Sequence, residues 1–159
     1  MRVKEIKNIL LADDDEDDRY LFRDALNELF LGTVLTAAHD GAELIKYLET
    51  VSTNLPDILF LDLNMPRKNG FDCLKEIKEH TLFQKLPVVI YSTSSDEEKL
   101  NLLYQQGAHY YICKPTNYEE LKSVVHKAIT LLEQNQIQAP RENFFINKLK
   151  PTGIWKKHL

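Results

Sequence analysis

The stretch Ile58-Leu59-Phe60-Leu61-Asp62-Leu63-Asn64-Met65-Pro66-Arg67-Lys68-Asn69-Gly70 is an apolar run that stops on one carboxylate and then turns through Pro66 and Gly70. An apolar run without polar alternation suits a strand buried on both faces, as in a parallel sheet covered by helices. Asp62 then stands at the carboxyl end of a central strand, the edge of an open α/β sheet where ligands bind. An isolated Asp there would ordinarily cap a turn.

Working outward, Ile9 to Ala12 forms a second short apolar strand that runs into Asp13-Asp14-Asp15-Glu16-Asp17-Asp18. Asp13 and Asp14 fall at the strand's end. Glu16, Asp17 and Asp18 read as the solvated start of a helix, where acids complement the positive end of the dipole. Leu21, Phe22, Ala25, Leu26 and Leu29 follow at helical spacing. Thr33 to Ala38 is a weaker strand, and Asp40 with Glu43 forms a capping-box pattern that opens a helix with Leu44, Ile45 and Leu48 inward. After the central strand, Phe71, Leu74 and Ile77 continue a helix to about His80.

Pro87 to Tyr91 predicts a fourth strand ending in Ser92-Thr93-Ser94-Ser95, and Ser95 with Glu98 predicts the cap of a helix that stops at Gly107. Tyr110 to Cys113 is a fifth strand leading into Lys114-Pro115. From about Asn117 the last helix presents Leu121, Val124, Val125, Ala128, Ile129 and Leu132. Strand and helix thus alternate five times, which implies a parallel sheet with helices on both faces, joined by right-handed crossovers.

The length of 159 residues suits one well-buried domain, expected over residues 1–137, with a tail over 138–159. That tail carries Arg141, Lys148, Lys150, Lys156 and Lys157 against one acid, Glu142, and shows no sustained helical period. It reads as a loose extension, with the Phe144-Phe145 pair and Trp155 offering docking points. It lacks the helices of a DNA-binding output module. The composition, 43% hydrophobic and 28% charged, is that of a globular protein, and a net charge of −4 gives no nucleic-acid footprint over the whole chain. Cys73 and Cys113 lack metal-ligand spacing and read as free thiols in a reducing compartment. With no apolar stretch long enough to cross a membrane, the expected location is the cytoplasm. The five scattered histidines form no ligand pair and receive no role.

In a parallel sheet the residues ending each strong strand gather at one edge: Asp13 and Asp14, Asp62, Ser92 and Lys114. Carboxylates about 4 Å apart repel by roughly 4 kcal/mol per pair at an effective dielectric near 20, so a cation belongs among them. Oxygen-only ligands with room for solvent and phosphate suit magnesium rather than zinc. Lys114 adds a second positive charge and Ser92 a donor, the equipment of phosphoryl transfer, with Asp62 as nucleophile forming an acyl phosphate.

On these residues, together with Met65-Pro66 and Gly70 after Asp62 and Pro115 after Lys114, the chain resembles a response-regulator receiver domain of two-component signalling, over about Lys7 to Gln134. The run from Asp13 to Asp18 and the Ser92 to Ser95 cluster resemble stand-alone receivers most. The resemblance implies a doubly wound, flavodoxin-like five-stranded sheet of order 2-1-3-4-5. It implies that Asp62 accepts phosphate from a histidine kinase or phosphotransfer protein, and that the chain is no enzyme beyond its own phosphorylation and dephosphorylation. Asp14, Asp62 and the Asn64 backbone carbonyl would ligate Mg2+, and Asp13 would do so through water. Ser92 and Lys114 would contact the phosphoryl group, with Ser92 and Tyr111 acting as the switch and the Lys114–Pro115 peptide cis. Asn64, Thr93 and Ser94 would tune rates, Thr93 being larger than the family's usual Ala or Gly. Output would be contact with an unidentified downstream protein, and a homodimer through the last strand and flanking helices is compatible with the family. One alternative is a phosphorylation-independent binding module. Another is an aspartate-nucleophile phosphohydrolase of the haloacid-dehalogenase type, which would need an acid where Asn64 stands. A flavodoxin-like electron carrier is opposed by the acids after the first strand.

Overall fold

Five strands and five helices alternate along the chain: β1 (Asn8–Ala12), α1 (Glu16–Glu28), β2 (Val34–Ala38), α2 (Gly41–Thr50), β3 (Ile58–Leu61), α3 (Gly70–Glu79), β4 (Val88–Ser92), α4 (Glu97–Gln105), β5 (Tyr110–Cys113) and α5 (Tyr118–Gln134). The computed structural model describes residues 3–147; Trp155 and the Lys148, Lys150, Lys156 and Lys157 part of the basic tail lie outside them. The strands form one parallel sheet in the order β2-β1-β3-β4-β5.

The apolar runs become sheet because alternate side chains of each strand point to opposite faces and both faces are covered. Leu10, Leu59, Leu61, Val88 and Ile90 pack under α2, α3 and α4, whereas Ile9, Leu11, Ile58, Phe60, Val89 and Ile112 pack under α1 and α5. Every residue of β3 is fully buried, which makes it the central strand in environment as well as position.

The caps follow the sequence closely. Asp40 accepts from the Glu43 N–H at 2.8 Å, and the Glu43 carboxylate returns a bond to the His39 N–H, one residue before the usual capping-box partner. For α4 the cap is Asp96, which accepts from the Glu98 N–H at 2.9 Å, and not Ser95. An ionised carboxylate is the stronger acceptor at a positive helix end. Gly107 ends α4 with φ +99°, a conformation costly for side chains other than glycine. The Lys114–Pro115 peptide is trans, and no cis bond occurs among the described residues.

The largest departure from expectation lies after α5. Residues 138–147, expected to extend loosely, pack along the free edge of β5. Phe144 is fully buried beside Tyr104 and Tyr111, with ring centroids 5.2 Å and 6.2 Å away. The Tyr111 N–H donates to the Phe144 carbonyl and the Ile146 N–H to the Tyr111 carbonyl, both at 2.9 Å, while Asn147 bonds both backbone groups of Cys113. Gln138 donates to the carbonyls of Tyr104 and Ala108, and Arg141 pairs with Glu97 of α4 at 2.8 Å. The outward hydrogen-bonding groups of β5 are therefore satisfied by the chain itself, which closes an edge that would otherwise invite another strand. Truncating Phe144→Ala should destabilise the fold by about 3 kcal/mol. Ile137→Ala, at a site 74% exposed, should stay within about 0.5 kcal/mol of the parent in urea unfolding.

At the amino-terminal end of β5 His109 is buried. Its Nδ1 accepts from the Val88 N–H at 3.3 Å, so Nε2 carries the proton and donates to the Gln136 carbonyl at 3.1 Å. Burial, with the Lys78 ammonium nearby, pushes its pKa down to about 4. On acidification the unfolded chain binds this proton first, near pH 6.5. The stability His109 confers is thus complete above pH 6.5 and falls by about 3 kcal/mol as pH drops towards 4. Urea unfolding of His109→Gln should accordingly lose less stability than the parent between pH 7 and pH 4.5.

Candidate functional site

The register of the sheet builds the site. Ala12 pairs with Leu61 across β1 and β3, so Asp13 and Asp62 emerge side by side, and the Asp62 N–H donates to the Ala12 carbonyl at 2.9 Å. Ser92 pairs with Cys113, so Lys114 leaves β5 just beyond β4, its N–H donating to the Ser92 carbonyl at 2.8 Å. Gly70 lets the β3–α3 loop fold back, because a Cβ there would lie 2.3 Å from the Asp62 carbonyl oxygen.

Asp13, Asp14 and Asp62 meet as the sequence implied, each offering a carboxylate oxygen within 4.8 Å of the others. Asp13 and Asp62 are buried and Asp14 is exposed, so the cluster opens to solvent on one side. Burial raises the Asp62 pKa to about 6, with the Lys114 charge acting against it and the Asp13 charge reinforcing it. Burial likewise raises that of Asp13. Asp62 Oδ1 accepts only a long bond, 3.4 Å, from the Asn64 N–H, and Asp13 Oδ2 has no aligned donor although the Lys114 Nζ lies 2.8 Å away. Under-satisfied, like-charged oxygens crowded at one opening fit a hard divalent cation.

Lys114 reaches this cluster from the end of β5. Its Nζ lies 2.8 Å from Asp13, 2.8 Å from Asp18 and 3.6 Å from Asp62, and 5.2 Å from the centre of the Tyr91 ring. Burial disfavours its charge, but the nearby carboxylates of Asp13 and Asp18 outweigh that and raise its pKa. The Ser92 hydroxyl accepts from the Ser94 N–H at 3.3 Å at the buried end of β4. The Tyr111 ring is fully buried, and its hydroxyl donates to the Ser94 carbonyl. Thr93 presents its carbonyl to the Cys113 thiol at 3.7 Å.

Three participants escaped the sequence reading. Asp18 pairs with Lys114 instead of standing in solvent, Arg19 donates to the Asp13 carbonyl at 2.8 Å, and Tyr91 supports the ammonium with its ring. No local pattern marks the Asp18 contact, which joins residues 96 positions apart.

The family model described as response regulator receiver domain matches residues 9–126. Among curated relatives, the DNA-binding transcriptional regulator NtrC of Escherichia coli (strain K12) is 34% identical over 80% of this chain, which spans only 26% of NtrC. Response regulator Rcp1 of Synechocystis sp. (strain ATCC 27184 / PCC 6803 / Kazusa) is 30% identical over 75% of this chain and 84% of its own. The manganese-bound form of response regulator Rcp1 superposes with a TM-score of 0.68 over 84% of this chain and 96% of that one, at 27% identity. The phosphorylated cyanobacterial phytochrome response regulator RcpA does so with a TM-score of 0.73 over 85% and 99%, at 31% identity.

Replacing Asp62→Asn removes one buried like charge and should raise the thermal midpoint in metal-free buffer. A divalent cation at ten times its dissociation constant should stabilise the parent by about 1.4 kcal/mol. The variant should show a much smaller response in the same melting experiment.

Proposed function

The chain belongs to the response regulator receiver-domain family, and from that membership we propose that Asp62 is the residue phosphorylated. The observation that carries the assignment is its place in the sheet. Asp62 is buried at the end of the central strand, 3.6 Å from the Lys114 ammonium, and shares a solvent-open cluster with Asp13 and Asp14. Receiver domains are signalling switches that hold a divalent metal. The finer reading is that Mg2+ is the physiological ion, held by Asp13, Asp14, Asp62 and the Asn64 carbonyl. The ion would supply neutralising charge for phosphoryl oxygens.

In the proposed reaction an Asp62 carboxylate oxygen attacks phosphorus in a phosphohistidine of a kinase or phosphotransfer protein. The new P–O bond forms as the P–N bond breaks, and the imidazole nitrogen keeps the electron pair and takes up a proton. Lys114 and the Ser92 hydroxyl then bond phosphoryl oxygens, because phosphorylation adds negative charge and strong acceptors where the carboxylate stood. Ser92 and Tyr111 form the bistable element: the Tyr111 hydroxyl is bonded to Ser94, two residues beyond Ser92, so movement of that loop removes its partner. Asn64, Thr93 and Ser94 are assigned to tuning the lifetime. Asn64 offers an amide where a phosphohydrolase of the rival type needs a titrating acid, which supports a switch over a turnover enzyme.

Output by protein contact is assigned to the face formed by α4, β5 and the segment 138–147. Any homodimer built there has to include or displace that segment, because it already covers β5. No helix among the described residues is long and apolar enough to cross a membrane, and we place the switch in the cytoplasm. Incubation with Mg2+ and acetyl phosphate should add one phosphoryl group by intact mass to the parent and none to Asp62→Asn. A parent that stays unmodified while binding the metal would favour the phosphorylation-independent module.

A further inference from the structure

We propose that Asp18 is a positioning residue for Lys114, holding its ammonium back from Asp62 in the unphosphorylated protein and thereby restraining phosphorylation. The inference rests on the assignment of Asp62 as phosphoacceptor. An ammonium has three N–H donors, and three carboxylates surround this one: Asp13 and Asp18 at 2.8 Å and Asp62 at 3.6 Å. The two short contacts go to Asp13, at the end of β1, and to Asp18, on α1, and the residue to be phosphorylated is left with the longest.

Asp18 differs in kind from the other two. Asp13 belongs to the cluster that fits a metal, so its bond to Lys114 weakens when a cation shares its oxygens. Asp18 lies outside that cluster and loses nothing on metal binding. Its hold on Lys114 is secured at both ends. Asp18 sits in the first turn of α1, its N–H donating to the Asp15 cap at 3.1 Å, and Lys114 is confined by Tyr91 beneath it and by a side chain only 9% exposed.

When a phosphoryl group arrives on Asp62, its oxygens compete with Asp18 for the same N–H groups, and the Asp18 charge repels them. Loss of competition and loss of repulsion act in the same direction, so removing the Asp18 charge favours the phosphorylated form. The side chain of Asp18 is 33% exposed, so solvent reduces the effect to roughly two- to five-fold.

The test measures the phosphorylated fraction by intact mass in Mg2+ and sub-saturating acetyl phosphate, for the parent, Asp18→Asn, Asp18→Glu and Asp17→Asn, with thermal melting to confirm folding. Asp17 is exposed and has no ion pair among the described residues, so its variant carries the same change in net charge without touching Lys114. The proposal expects the ratio of phosphorylated to unphosphorylated protein to rise roughly two- to five-fold in Asp18→Asn. It should stay at the parent value in Asp18→Glu, whose carboxylate still reaches the ammonium, and in Asp17→Asn. A ratio unchanged in Asp18→Asn overturns it, as does an equal rise in Asp17→Asn, which would mean bulk charge alone. A parent that takes up no phosphoryl group defeats the Asp62 assignment instead, and the two failures are thereby told apart.

Discussion

The buried ammonium of Lys114 is the contact on which the carboxyl edge of the sheet depends. Asp13 is fully buried and Asp62 nearly so, and two desolvated carboxylates beside the exposed Asp14 would repel by about 3 to 4 kcal/mol per pair at their separation. One ammonium at 2.8 Å from Asp13 and 3.6 Å from Asp62 offsets part of that cost and leaves the cluster net negative. The residual charge has a direction, since Lys114 closes the site from the α1 side and Asp14 faces water.

Most of this edge was legible in the sequence because a parallel sheet converts strand ends into neighbours. Once Ile9 to Ala12, Ile58 to Leu61 and Tyr110 to Cys113 are recognised as parallel strands, Asp13, Asp62 and Lys114 fall at one edge of the sheet whatever their separation along the chain, and the strand order brings them together. Asp18 obeys no such rule. It belongs to a helix, and which way the first turn of α1 faces depends on its packing under Phe22, Ala25 and Leu26 against the sheet. Acids at a helix start are so often solvated that the residue type carried no signal. Ser95 and Asp96 illustrate a second limit, because adjacent cap-forming residues are separated by acceptor strength and local geometry rather than by pattern. Phe144 illustrates a third. The sequence offers it as a docking point, but where it docks, fully buried on the α4 side of the core, is a tertiary outcome that a segment without periodicity does not announce.

That segment matters because it shares a residue with the site. Tyr111 reaches one way, its hydroxyl bonded to Ser94 in the loop after β4, and is held the other way through its backbone N–H and carbonyl by Phe144 and Ile146. Its ring packs against Phe144 and Phe145, at centroid distances of 6.2 Å and 5.3 Å. Close-packed aromatic side chains do not deform smoothly. A rotation of Tyr111 has to be matched by these two rings, and through Tyr104 and Arg141 the same segment grips α4.

The two ends of the sheet divide stability from function. At the strands' amino ends His109 has both ring nitrogens satisfied and stays neutral, so its burial strengthens the fold at neutral pH. At the carboxyl ends Asp62 is buried with only a 3.4 Å hydrogen bond and an ammonium at 3.6 Å, and burial outweighs both, so ionising it at neutral pH costs folding free energy. That cost is useful only if something in the unphosphorylated protein keeps the strongest available donor from relieving it. The role proposed for the short Asp18 contact meets that condition, from a helix that lies outside the carboxylate cluster.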